Sequence, residues 1–201
     1  MKKCISILVL LLLLFPCLCF AGNLSKIKAV IAAKNTVAGC NESIDFIGSN
    51  SEGSTAAQHA AASVQSLNLW EPSCSGKLKT AYLKHYTTNN QSAKIVIYLD
   101  DGDNVPDSGD TLIEASYPVT SSTTEWISVA LAGTNTVSTA NKYWVGFITG
   151  GGVLAGWNRY YSDGLSNYYQ ITDYSSPPGT LAGTWSSTAN RQFSMYITIG
   201  Q

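Results

Sequence analysis

Apolar and polar residues alternate along much of the chain, and this period of two predicts β-strands rather than helices. In Phe193–Ile199 every second residue is large and apolar, while Ser194, Tyr196 and Thr198 fall between them. Successive side chains of a strand point to opposite faces of its sheet. We therefore expect this strand to face a core on one side and water on the other.

The same kind of pattern predicts most of the remaining chain to be strand. Ile95–Leu99 and Asn141–Thr149 are apolar on both faces, as in the central strands of a packed sheet. Short strands separated by turn residues, without a convincing long helix, predict an all-β fold: an antiparallel β-sandwich or jelly roll. The other predicted strands are Ile44–Ile47, Val64–Leu69, Lys77–Tyr86 (arranged around Leu78, Tyr82 and Tyr86), Leu112–Val119 and Trp126–Leu131.

The first 21 residues have the pattern of a signal peptide. Lys2 and Lys3 precede the apolar run Ile5–Phe15, and Ala21 ends a segment suited to cleavage. We expect a secreted, extracellular or periplasmic protein with no membrane span in the mature chain. Residues 22–60 would form an N-terminal arm with the first strand, and residues 61–201 the jelly-roll domain.

Charge and cysteine content narrow the classes of partner and compartment. Without Lys2 and Lys3, 10 of the 12 basic residues remain against 13 acidic ones, a net charge of −3 with no basic patch. Nucleic acid is therefore not an expected partner. Cys40 and Cys74 remain after signal removal, and in an oxidising compartment they are expected to form a disulfide. The alternative is two unpaired buried thiols.

An acidic loop follows the strand Ile95–Leu99. Closely spaced carboxylates on a loop with turn-forming glycines supply the hard oxygen ligands that Ca²⁺ prefers, so we expect a structural Ca²⁺ site. The spacing does not follow the EF-hand pattern, and a solvated acidic turn is the alternative. The expected metal ligands are Asp100, Asp101, Asp103, Asp107 and Asp110.

Aromatic residues are concentrated between Trp157 and Tyr174, beside amide and charged side chains and several glycines. Aromatic rings stack on sugar C–H faces, while amides and charges bind hydroxyls. These residues therefore predict a carbohydrate platform, although the rings could instead cover the ends of the sandwich. Trp70, Trp126 and Trp144 are expected in the core. The expected ligand-binding residues are Trp157, Asn158, Arg159, Tyr160, Tyr161, Tyr168 and Tyr169.

Catalysis has little support in the sequence. His59 and His85 stand alone, and the chain carries neither a nucleophile-elbow nor a zinc-protease motif. A glycosidase would need two carboxylates on either side of a sugar, and the separations of Glu114, Glu125 and Asp163 cannot be read from sequence. We expect a protein that is not an enzyme.

One succession of motifs carries a family resemblance. Gly76-Lys77-Leu78 leads into a strand, Ile-Tyr-Leu-Asp-Asp-Gly opens the acidic loop, and DTLIEAS follows it. Glu125-Trp126-Ile127 then precedes NKYWVGF. Across Ser75–Ile199 this resembles bacterial secreted jelly-roll domains of the carbohydrate-binding-module, galactose-binding-like type. Glu125 departs from the pattern, in which glycine precedes the tryptophan.

The resemblance implies a non-catalytic binding protein whose partner is a glycan or cell-surface polysaccharide. The competing interpretation is a structural or adhesive surface protein that contacts other proteins.

Overall fold

The computed structural model describes residues 39–56, 63–85, 91–121, 125–150, 159–161 and 165–201. Residues 39–201 belong to one compact unit. Within the described residues all regular structure is β. The strands are β1 Phe46–Gly48, β2 Thr55–Ala56, β3 Val64–Trp70, β4 Gly76–Lys84, β5 Gln91–Leu99, β6 Thr111–Ala115, β7 Val119–Ser121, β8 Trp126–Ala130, β9 Thr136–Val137, β10 Tyr143–Thr149, β11 Arg159–Tyr161, β12 Asn167–Ile171, β13 Ser186–Thr188, β14 Gln192–Phe193 and β15 Met195–Gly200.

These strands form two large antiparallel sheets and one small sheet. Sheet 1 has the order β1-β15-β4-β8, with β9 also paired to β4. Sheet 2 has the order β13-β12-β3-β10-β5-β6, with β7 also paired to β5. Sheet 3 contains β14, β11 and β2. All the pairings within the large sheets are antiparallel.

The two large sheets pack face to face around an inner core, so the predicted β-sandwich is confirmed. Sheet 1 contributes alternate residues such as Leu83, Met195 and Ile197, and sheet 2 contributes residues such as Ile97 and Phe147. All five side chains are buried. This alternation is the expected consequence of strands with one face turned to the core.

The face of sheet 2 that points away from sheet 1 is also covered, by the 14 residues between β12 and β13. We call this segment, Thr172–Trp185, the strap. It runs from β12 to the opposite edge of sheet 2, at β6. There Thr180 forms a β-bridge with Thr111, and Leu181 donates its N–H to the Asp110 carbonyl. Crossing four strand spacings requires about 19 Å. The strap and the sheet together form an outer cluster, with buried Leu67, Val96, Tyr98, Trp144, Ile148 and, from the strap, Leu181.

A β-bulge changes the faces predicted for one strand. The pairing of β15 with β4 shifts register between Ile197 and Ile199. Leu78, Ala81 and Leu83 consequently all belong to the inner core. The expectation that Tyr82 shares a face with Leu78 was wrong, because the bulge places one extra residue between them.

A proline divides another predicted strand. The segment predicted as one strand, Leu112–Val119, is instead β6 and β7, with Pro118 between them. Proline lacks the N–H that a continuous ladder would need.

Cys40 and Cys74 form a disulfide with their Cα atoms 5.8 Å apart, which confirms the predicted bond. It joins the segment before β1 to the turn before β4. A disulfide indicates an oxidising compartment. Within the described part of the chain, no helix has the length and apolar character needed to cross a membrane.

Candidate functional site

The acidic loop leaves β5 at Asp100 and returns to sheet 2 at Asp110. Its turns are held by carboxylates that accept backbone N–H groups two residues ahead: Asp101 from Asp103 at 3.3 Å, and Asp103 from Val105 at 2.8 Å. Gly102 has φ +110°, a conformation that side chains rarely adopt. The sequence therefore builds a tightly turned loop from local Asp-based turns.

The Asp110 carboxylate connects the two halves of this loop. Its fully buried carboxylate accepts the Asp101 N–H at 3.0 Å and the Asp107 N–H at 2.9 Å, one through each oxygen. Burial raises the pKa of Asp110 to about 6, with the charges of Asp100 and Asp101 adding to the effect. Asp107 uses one oxygen to accept the Gly109 N–H at 2.7 Å. Asp110 thus holds the loop together through both of its oxygens.

Three other carboxylates converge in the first half of the loop. Asp100, Asp101 and Asp103 each offer one oxygen, and the three oxygens lie within 4.8 Å of one another. Asp101 and Asp103 are exposed, whereas Asp100 is only 7% exposed and its Oδ1 has no hydrogen-bond partner in the described structure. Burial raises the pKa of Asp100, and the charge of Asp103 raises it further. This triad could hold a metal ion.

A row of four aromatic side chains crosses the solvent side of sheet 1. We call Phe46, Tyr82, Trp126 and Tyr196 the aromatic row. Tyr82 and Tyr196 are directly paired across β4 and β15, and their rings stack with centroids 4.6 Å apart and planes 7° apart. Phe46 and Trp126 meet the Tyr196 ring edge-on at 5.8 and 5.5 Å. All four side chains are half-buried.

The aromatic row combines rings with polar groups. Burial raises the pKa of Tyr196, so its phenol is a neutral hydrogen-bonding group at physiological pH. Lys84, which is paired with Trp126 across β4 and β8, makes a 3.0 Å ion pair with Glu52. Exposed Ser128 is the cross-strand partner of Tyr82. The arrangement can stack on an apolar ring face and bind hydroxyls beside it.

Trp126 was expected in the core, and its contact with Tyr196 instead places it in the aromatic row. The sequence did signal Tyr196, which the alternation of its strand put on the solvent side. Tyr82 was missed because of the bulge in the pairing of β15 with β4.

Most of the predicted platform lies outside the described side chains. Trp157 and Asn158 are not among the described residues, and Arg159–Tyr161 is described only as the backbone of β11. This prediction therefore stays a prediction.

Tyr168 and Tyr169 are described, and they lie on opposite faces of β12. Tyr168 packs edge-on against Trp144, with centroids 5.2 Å apart, and belongs to the margin of the outer cluster. Tyr169 is 37% exposed and is accessible to a ligand. The structure thus separates two neighbouring tyrosines that the sequence grouped together.

A groove of about 410 Å³ lies beside the acidic loop. Leu69, Trp70 and Leu165 form its apolar lining, and Glu71 and Lys142 its charged rim. Lys142 donates to the Asn104 side chain at 2.8 Å, and its ammonium lies 3.8 Å from Glu71. Trp70, expected in the core, packs against that core and also lines this groove.

No protein-family model matches the chain, and no curated protein matches its sequence.

Proposed function

We propose that this is a secreted, non-catalytic protein that binds carbohydrate through the aromatic row of sheet 1. The observation that carries the proposal is the contact of four half-buried rings across four adjacent strands. An extended row of rings suits a chain of sugars better than a single small molecule. The family resemblance seen in the sequence supports the same class of ligand.

Neutral glycans fit this surface best. The charged groups near the row are paired with one another, Lys84 with Glu52 at 3.0 Å and Lys79 with Glu42 at 3.6 Å. An acidic polysaccharide would need unpaired cations, and a basic one unpaired carboxylates. We therefore expect hydroxyl-rich, uncharged chains.

A glycan array, followed by affinity measurements on the polysaccharide that binds best, tests this function. Trp126→Ala and Tyr82→Ala should each weaken binding by about 1–3 kcal/mol, the range typical of aromatic hot spots. Tyr117→Ala is the matched control, because Tyr117 is 84% exposed and makes none of the ring contacts of the row.

An array without a neutral glycan ligand would contradict the proposal. Equal losses in Tyr117→Ala and Trp126→Ala would contradict the site. If the array is negative and the row variants change self-association or adhesion, the structural or adhesive alternative is supported instead.

We further propose that the acidic triad binds a structural Ca²⁺ ion. Asp100, Asp101 and Asp103 bring three hard oxygen donors together, and the buried Asp100 Oδ1 has no other partner in the described structure. The Asp110 oxygens serve backbone N–H groups, so Asp110 preforms the loop instead of coordinating the ion. Asp107 retains one oxygen for a more distant or water-mediated contact.

A further inference from the structure

Several polar atoms in or beside the outer cluster are buried without a hydrogen-bond partner among the described residues. Gln65 on β3 is fully buried, and both its Oε1 and its Nε2 are unpartnered. The same holds for the indole N–H groups of Trp144 and Trp185 and for the hydroxyl of Tyr174. Removing such a group from water without a new partner is energetically unfavourable.

Trp144, Tyr174 and Trp185 belong to the packed layer between sheet 2 and the strap. Gln65 lies on β3 opposite Ile148 of β10 and Gln170 of β12. Its amide is close enough to the Tyr98 hydroxyl to lower the pKa of that phenol, without the geometry of a hydrogen bond. Tyr174 and Trp185 reach the outer cluster from the strap itself. Both walls of this layer therefore present unsatisfied donors beside aromatic rings.

The strap is held at several points along its length. Thr172 donates its N–H to the Ser63 carbonyl at 2.8 Å, Lys94 donates to the Ser175 carbonyl at 3.0 Å, and the Leu181 side chain is fully buried. Gly179 and Leu181 exchange backbone hydrogen bonds with Leu112 and Asp110, at 2.8 and 3.1 Å. Tyr98 donates its hydroxyl to the Pro178 carbonyl at 3.1 Å. The only β-bridge in the described strap is that between Thr180 and Thr111, so lifting the strap would break no ladder of sheet 2.

We propose that the strap is a lid over a second binding site, which takes a small neutral polyhydroxylated molecule of monosaccharide size. Sugar hydroxyls supply both acceptors and donors for the Gln65 amide, the Trp185 indole N–H and the Tyr174 hydroxyl, whereas the Trp144 N–H lies beside Asp100. The aromatic rings stack on the apolar sugar faces. The proposed function supplies the ligand class only, since this site lies on sheet 2 and is independent of the aromatic row.

The chemistry of the layer favours an uncharged ligand. The described charged groups nearby are Lys94, whose ammonium lies 4.9 Å from the centre of the Tyr174 ring, Asp173 of the strap near Lys94, and Asp100 beside Trp144. Between them the cluster offers neutral amide, indole and phenol groups. A charged guest would be left without a counter-charge in a buried place.

Calorimetric titration of the whole secreted protein with glucose, galactose, mannose and N-acetylglucosamine tests the lid site. We expect saturable binding of at least one of these sugars, weakened at least tenfold in Gln65→Leu. The double variant Thr111→Cys/Thr180→Cys should form a disulfide across the bridge and abolish binding, whereas Thr111→Cys alone should not. Thermal melts verify that each variant is folded, and Gln65→Asn replaces Gln65→Leu if the latter is not.

The result is separable from the test of the aromatic row. Trp126→Ala should leave monosaccharide binding unchanged, and Gln65→Leu should leave polysaccharide binding unchanged. The lid site is wrong if none of the four sugars binds. It is equally wrong if binding survives both the Gln65 substitution and the closed disulfide.

Discussion

Two buried amides on one strand differ in how well they are satisfied. Asn68 donates to the carbonyls of Ser166 and Arg191, at 3.0 and 2.9 Å, and accepts the Phe193 N–H at 2.9 Å. It therefore ties β3 of sheet 2 to β14 of sheet 3. Gln65, three residues earlier, makes no such bonds. Because both side chains are fully buried, substitutions at these two positions compare the contribution of side-chain hydrogen bonds to stability.

We expect Asn68→Leu to lower the free energy of unfolding by about 3 kcal/mol, because it leaves one buried and two partly buried backbone groups unpaired. Gln65→Leu should instead raise it by about 1 kcal/mol or more, since it removes two unpaired buried groups and loses no partner. Urea unfolding curves measure both values. Equal losses in the two variants would show that Asn68 acts through packing alone.

A second prediction for a single residue concerns Tyr98 and the pH dependence of stability. Burial raises the pKa of Tyr98 to about 12 from an ordinary value of 10. The unfolded chain therefore releases this proton first, so stability is complete below pH 10 and falls as pH rises towards 12. The loss approaches about 3 kcal/mol for a shift of this size. Tyr98→Phe should flatten the decline of stability, whereas Tyr117→Phe, at an exposed position, should not.

At the scale of elements, the strands were predictable and the strap was not. Alternation predicts a strand because it records one buried and one exposed face, as in β15. The strap has no period, and Leu181 gains its burial only from contact with distant strands. The acidic triad was visible in the Asp spacing. The role of Asp110 was hidden, because a loop-closing carboxylate has the same sequence signal as a ligand.

The acidic loop makes a prediction as an element. If Ca²⁺ binds only the folded protein, stability should rise by about 2.7 kcal/mol when free Ca²⁺ is a hundred times its dissociation constant. Thermal melts in chelator and in millimolar Ca²⁺ measure the shift, with Na⁺ at equal ionic strength as the control. Asp103→Asn should remove the Ca²⁺ response. An equal response to Na⁺ would mean that added ions only screen the repulsion between the carboxylates of the loop.

Over the whole molecule, the sandwich depends on contacts between residues far apart in sequence. The first described strand, β1, pairs with the last, β15, and the disulfide fastens the segment before β1 to the turn before β4. Pairing of the chain ends could not be derived from alternation, which identifies strands but not their neighbours. The two cysteines gave the one long-range constraint that the sequence offered.

Removing the disulfide should have a global effect. Cys40 and Cys74 are 34 residues apart, and a loop of this length corresponds to about 3–4 kcal/mol in the chain-entropy model. Cys40→Ala/Cys74→Ala should lose about that much in urea unfolding. A thiol assay on the unsubstituted protein, denatured without a reducing agent, should detect no reaction at Cys40 or Cys74. Two reactive thiols, or an unchanged unfolding curve, would contradict a stabilising bond.

The shortness of β1 has a further consequence for how the protein behaves in concentrated solution. Three residues, Phe46–Gly48, shield one long side of β15. If β1 detached, β15 would present free N–H and C=O groups to the strands of other molecules, a template for edge-to-edge aggregation. The nearby disulfide limits that detachment. We therefore expect the disulfide to limit edge-to-edge aggregation as well as to stabilise the fold.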